Sequence, residues 1–230
     1  MFLFDPTYLI FMIPAFILMA LTSWYVRHAN SKWSRVRTSS GLTGTQAAQR
    51  LISTGSLYGV QIQGVAGELT DHYDPRNKTL FLSNGVANSP SVASVAIAAH
   101  ELGHAMQDAE DYLPLRFRGA LVPVVNIGSN LGWILIMAGL FFQWLSLAWV
   151  GVLFFAGGAV FALATLPVEF NASARAKQLL AQTGIIQSDE EMRGVNQVLN
   201  AAALTYVAGL ITAILQLLYY VFLLGGRRRD

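Results

Sequence analysis

Gly119–Val168 reads GALVPVVNIGSNLGWILIMAGLFFQWLSLAWVGVLFFAGGAVFALATLPV, a stretch without Asp, Glu, Lys, Arg or His. A helix crossing the hydrocarbon core needs about 20 mostly apolar residues, so this run is long enough for two crossings and a tight turn. Its natural break is Gln143-Trp144-Leu145-Ser146, with Trp149 close by as an interface aromatic. The run therefore predicts a helical hairpin, Leu121–Phe142 and Leu147–Leu166, with Pro123 and Pro167 near its ends, where proline costs least.

Outward from the hairpin, two more spans are expected. Thr7–Val26 is uncharged and ends in Trp24 and Tyr25. No basic segment precedes it and no small-x-small cleavage site follows, so it reads as a retained anchor. Gly194–Gly226 is also free of charge and holds a span near Leu204–Leu224. Composition agrees: 54% of residues are apolar and 12% are charged, against about 25% charged in soluble domains. A net charge of +2 gives no footprint for nucleic acid. Cysteine is absent, which excludes disulfides and thiolate metal sites. Any bound transition metal must use His, Asp, Glu or water.

Basic residues near span ends set orientation. Arg27, Lys32, Arg35 and Arg37 follow the first span, which only Asp5 precedes. Arg116 and Arg118 precede the hairpin, and Arg175 and Lys177 follow it. These place Arg27–Arg118 and Glu169–Asn200 in the cytoplasm and the amino terminus outside. Arg227, Arg228 and Arg229 then fall outside, against the rule.

Five parts result: an anchor (1–26), a cytoplasmic domain (27–118), the hairpin (119–168), cytoplasmic helices (169–203), and a final span with a basic tail (204–230). In the cytoplasmic domain Thr43–Thr54 reads as a short helix that Gly55 stops. Strand signals follow at Leu57–Val65, Glu68–Tyr73 and Thr79–Leu82, with a turn at Asp74-Pro75-Arg76-Asn77 and a break at Asn84-Gly85. Ser89-Pro90 then opens a helix that runs to about Gln107.

That helix carries His100-Glu101-Leu102-Gly103-His104. Histidines four apart project from one helical face, so both imidazoles can converge on one zinc ion. Glu101 lies beside the open side of the ion. There it can act as general base toward the water that the metal activates. The alternative is a pair of surface histidines, but the surrounding Ile97, Ala98, Ala99, Leu102, Ala105 and Met106 suit a buried helix.

A catalytic zinc needs a third protein ligand. Asp108 continues the same face but sits about 12 Å along the axis from His100, too far to share an ion. Glu110 and Asp111 fail similarly unless the chain doubles back. Glu169 is the better candidate, since the hairpin returns the chain to the same side of the membrane. It would open a helix over Val168–Ala181, where Ala172, Ser173 and Ala176 allow close packing. Its bland reading is a carboxylate at a helix start, favourable to the dipole.

Ile97–Gln107 (IAAHELGHAMQ) and Leu166–Ser173 (LPVEFNAS), with Asp74-Pro75-Arg76, resemble the YugP-like neutral zinc peptidases of bacterial membranes. The order of motif helix, two spans and glutamate is also similar to HtpX-type membrane peptidases. The resemblance implies ligands His100, His104 and Glu169, Glu101 as base, and peptide-bond hydrolysis. Its departure is Ser173, where glutamate-ligand zincins usually carry the Asp that holds the first histidine; Asn171 lies two before. Candidates for oxyanion support are His72, Tyr73, Arg175 and Tyr206, and His28 reads as an interface residue.

The expectation is an α-helical membrane protein with about four transmembrane helices and a small α+β zincin-like metallopeptidase domain. It is a multi-pass cell-membrane protein with its active site on the cytoplasmic side. It binds Zn2+ and cleaves polypeptides, membrane proteins among the candidates. The competing readings are an intramembrane zinc protease and a non-catalytic zinc-stabilised membrane scaffold.

Overall fold

The computed structural model describes residues 5–55 and 57–226. Among the described residues, seven helices and three strands follow in the order α1 (Pro6–Trp33), α2 (Gly44–Thr54), β1 (Gln61–Val65), β2 (His72–Asp74), β3 (Thr79–Ser83), α3 (Asn84–Ala87), α4 (Val92–Ala109), α5 (Leu113–Phe141), α6 (Leu145–Gln182) and α7 (Asp189–Gly226). Four of them, α1, α5, α6 and α7, are long and apolar enough to cross a membrane. The chain divides into two compact units. One holds residues up to Ser23, Arg116–Leu166 and the segment from Leu204; the other holds Trp24–Leu115 and Pro167–Ala203.

In the membrane unit, Phe142, Gln143 and Trp144 separate α5 from α6. Gln143 takes a left-handed φ of 57°, and Trp144 N donates to Gly139 O at 2.8 Å. This satisfies a helix-end carbonyl and reverses the chain at the expected break. Backbone meets backbone in the hairpin: a Cβ on Gly132 would lie 2.8 Å from Gly151 O, and one on Gly139 would lie 2.5 Å from Ala148 N. Ile136, Ala148, Val152, Tyr219, Tyr220 and Leu224 form this unit's buried cluster.

In the second unit the sheet order is β1-β3-β2, with β1 parallel and β2 antiparallel to β3. Central β3 turns Leu80 and Leu82 fully inward. They join Leu51 of α2, Leu102 of α4, Leu180 of α6 and Leu199 of α7 in one core. Thr43 and Gln46 close a reciprocal cap on α2. Asp74 accepts from Arg76 N at 3.0 Å and Asn77 Nδ2 at 2.8 Å, which builds the expected turn.

Three local expectations need correction. The motif helix starts at Val92 with Ser91 as its cap, not at Ser89-Pro90, and it ends at Ala109. Pairing overrides the Ser-Pro signal: Thr38 N donates to Pro90 O at 3.0 Å and Val92 N to Val36 O at 2.9 Å, which keeps this segment extended. Asn84-Gly85 opens the short α3 instead of breaking the chain. The last correction matters most for the site. Glu169 opens no new helix, because α6 runs unbroken through Pro167 to Gln182. A proline removes a single N–H donor from the ladder, which a long packed helix tolerates. Pro123 is likewise inside α5, since that helix begins at Leu113. The Arg227–Arg229 tail lies outside the described residues.

Candidate metal centre

Two helices of the second unit build the site. On α4, His100 and His104 stand one turn apart with ring centroids 4.9 Å from each other. Facing them on α6 is Glu169, 2% exposed. Its Oε2 lies 3.3 Å from His100 Nε2 and 3.6 Å from His104 Nε2. One ligand atom from each of the three falls within 4.8 Å of the others.

The approach of these helices depends on small residues. A Cβ on Gly103 would sit 2.4 Å from Ala172 O, and Ala172 and Ala176 are fully buried. Glycine between the two histidines therefore lets α6 come close enough for a short glutamate to reach both rings. Donors about 2.0–2.2 Å from a tetrahedral zinc lie roughly 3.3–3.6 Å from one another. The two nitrogen–oxygen separations match that spacing. Two imidazoles and a carboxylate are also the donor chemistry of a catalytic zinc site, so these residues fit the ion.

Around them lies a shell of hydrogen bonds. His100 Nδ1 and Ser173 Oγ are 3.2 Å apart, and His104 Nδ1 is 3.0 Å from Gln107 Oε1. Gln107 is fully buried and donates through Nε2 to Val168 O at 2.8 Å and Asn171 Oδ1 at 2.9 Å. Asn171 Oδ1 also accepts from Arg175 Nε at 2.7 Å, and the Arg175 guanidinium forks onto both oxygens of Glu110 at 2.7 Å. That pairing holds the Glu110 carboxyl below the usual carboxylate range.

Glu101 projects beside the histidines, and its Oε2 accepts from Tyr73 N of β2 at 3.1 Å. Burial pushes its carboxyl up, while the neighbouring imidazoles pull the other way. For His104, burial acts downward, but the Glu169 hydrogen bond and the Glu101 charge outweigh it, leaving the imidazole above its ordinary value. The Tyr73 hydroxyl donates to Asp108 Oδ2 at 2.9 Å. Burial, then that bond, pushes the phenol well up, so it stays protonated near neutrality.

The structure thus brings His100, His104 and Glu169 together, sets Glu101 beside them and leaves Asp108 on Tyr73. The oxyanion candidates fare differently. Tyr73 and Arg175 spend their polar groups on Asp108 and on Glu110 and Asn171. His72 stacks on Phe81 with centroids 4.8 Å apart and is exposed. Tyr206 belongs to the membrane unit, where it lines a cavity of about 320 Å³. His28 stacks on Trp24 at 5.2 Å. Sequence reasoning overlooked Gln107, which it treated only as a helix end. Its place three residues after His104, on the same face of an apolar helix, was the available signal.

A His-His-Glu cluster with a carboxylate beside it, in a chain with four helices long and apolar enough to cross a membrane, has the donor set that a membrane metallopeptidase needs. The chain belongs to the family described as "Putative neutral zinc metallopeptidase", which it matches over residues 8–225. It is 44% identical over 197 residues to "Putative membrane protease YugP" of Bacillus subtilis (strain 168), covering 85% of this chain and 87% of that protein. No solved structure matches it.

Proposed function

We propose that this chain is a membrane-embedded zinc endopeptidase with a zincin-like site domain, that His100, His104 and Glu169 are its zinc ligands, and that Glu101 is its general base. The observation that carries this reading is the convergence of three donor atoms within 4.8 Å. Membership of a zinc metallopeptidase family and the likeness to a protein named a membrane protease support it. Zinc bound there would polarise the scissile carbonyl and acidify a water molecule. Glu101 takes the proton of the attacking water and passes it to the leaving amine. Its anchor on Tyr73 N, which holds the carboxylate beside the histidines, suits that task. Glu169, buried between the helices, would neutralise charge at a bound ion while staying shielded from water.

The substrates are polypeptides, and the site unit faces the cytoplasm. The basic residues Arg27, Lys32, Arg35 and Arg37, which follow the first span in the sequence, support this orientation. A reporter fused at Gln61 should read cytoplasm and one at Ser146 outside; the reverse pattern removes the cytoplasmic assignment. For the ligand set, the test is zinc content after dialysis against a weak chelator. Glu169→Ala should lose the metal, since two histidines alone hold catalytic zinc poorly. Asp108→Ala should keep it. Full retention in Glu169→Ala with loss in Asp108→Ala would overturn the ligand set.

A further inference from the structure

We infer that Gln107, oriented by Asn171 and the Arg175–Glu110 ion pair, is a positioning residue that fixes His104 with its proton on Nδ1 and so leaves Nε2 as the metal-binding nitrogen. This deepens the zinc-ligand reading and rests on it for its functional meaning, though not for its geometry.

The polarity of the chain follows from groups that have no choice. A carbonyl oxygen only accepts and a guanidinium only donates. The Gln107 atom 2.8 Å from Val168 O must therefore be the amide nitrogen. The Asn171 atom 2.7 Å from Arg175 Nε must be its oxygen. These two assignments agree, because Gln107 Nε2 then meets Asn171 Oδ1 at 2.9 Å as donor to acceptor. Gln107 has only Oε1 left for His104 Nδ1, 3.0 Å away. A neutral imidazole facing that oxygen must carry its proton on Nδ1, which leaves Nε2 free to bind a metal.

The opposite orientation of Gln107 would aim N–H groups at Nδ1, drive the proton to Nε2 and block the ligand position. It would also set Gln107 Oε1 against Val168 O, with both oxygens buried. Glu110 closes the relay at the surface by holding Arg175 through two bonds. Without that hold, Asn171 loses the donor that fixes its oxygen inward. His100 has a simpler partner: Ser173 Oγ can donate or accept, so this contact leaves the tautomer open. The two histidines are thus held by different logic, one by a chain of fixed polarity and one by an adaptable hydroxyl.

The test uses the full chain in lipid bilayers, with 15N-labelled histidine in a His28→Gln/His72→Gln background that leaves only His100 and His104. Solid-state nitrogen spectra of metal-free protein at pH 9 report the tautomers. His104 should carry its proton on Nδ1. Gln107→Leu and Arg175→Gln should give mixed tautomers. Zinc affinity, measured by competition with a coloured chelator, should fall about 10- to 100-fold in Gln107→Leu and less in Arg175→Gln.

A proton on Nε2 in the parent chain, or an unchanged tautomer in Arg175→Gln, would overturn the relay. Arg175→Gln alters the surface end and keeps the test decisive even if Gln107→Leu fails to fold. Failure of the parent chain to bind zinc would strike the proposed function alone, because the tautomers are read without metal.

Discussion

Leu80 and Leu153 are the same residue type in the two units and meet opposite fates. Leu80 is fully buried at the centre of the sheet; Leu153, in α6, is 74% exposed. In the site unit Leu51, Leu82, Leu102 and Leu180 turn inward with Leu80 to make the core. In the membrane unit Ile10, Phe16, Ile127 and Phe222 point outward, while Gly132, Gly139, Gly151 and Ala148 bring the helices together. Water drives large apolar groups into a core, and lipid has no such preference, so membrane helices associate where small residues let backbones touch. Polar groups follow the same division. In the site unit Gln107 is buried with all its amide atoms engaged, because an unpaired polar group there is costly. The candidate metal centre shares a device with the membrane unit: Gly103 against Ala172 is a backbone contact of the Gly132–Gly151 kind, and it brings Glu169 within reach of two histidines.

The comparison can be broken or sharpened by substitution. The largest effect should come from Glu101→Gln. It removes the proton acceptor and no ligand, so peptide hydrolysis should fall by about 10²–10⁴-fold with zinc content unchanged. Measurable activity near that of the parent would end the assignment. Next is Leu80→Ala, a cavity in a water-driven core, which should cost about 2–5 kcal/mol in denaturant unfolding followed on the site unit. Gly103→Ala should cost about 1–3 kcal/mol and also weaken zinc binding, because α4 and α6 must separate. A stability loss with full metal affinity would detach the glycine contact from the site. Smallest is Leu153→Ala, expected within about 0.5 kcal/mol, since lipid replaces what the side chain loses. A cost near that of Leu80→Ala would mean that protein, not lipid, covers this face.

Much of this protein is local and therefore legible in its sequence. Charge-free runs marked four helices long and apolar enough to cross a membrane, because the bilayer sets a length and a polarity. That His100 and His104 face the same way is legible because helical geometry alone projects i and i+4 from one face. The turn at Gln143 and the Asp74 turn are fixed by residues next to one another. Where competing partners were distant, local reading failed. Ser89-Pro90 looked like a helix start until the strand-like segment near Val36 claimed it. Pro167 looked like a boundary, yet α6 continues because packing outweighs one lost hydrogen bond.

Glu169 lies far along the chain from the histidines, across a whole helical hairpin. Sequence order could make it a candidate, but only the approach of α6 to α4 at Gly103 and Ala172 decides that its carboxylate meets both rings. The orientation of His104 was beyond the sequence for the same reason. It depends on which way two amides turn, and that is imposed by a backbone carbonyl and a guanidinium brought there by another helix. Spacing along one helix determines which groups can face a metal; the packing of two helices determines which of them do, because ligand distances of a few ångströms are set by side chains remote in the chain.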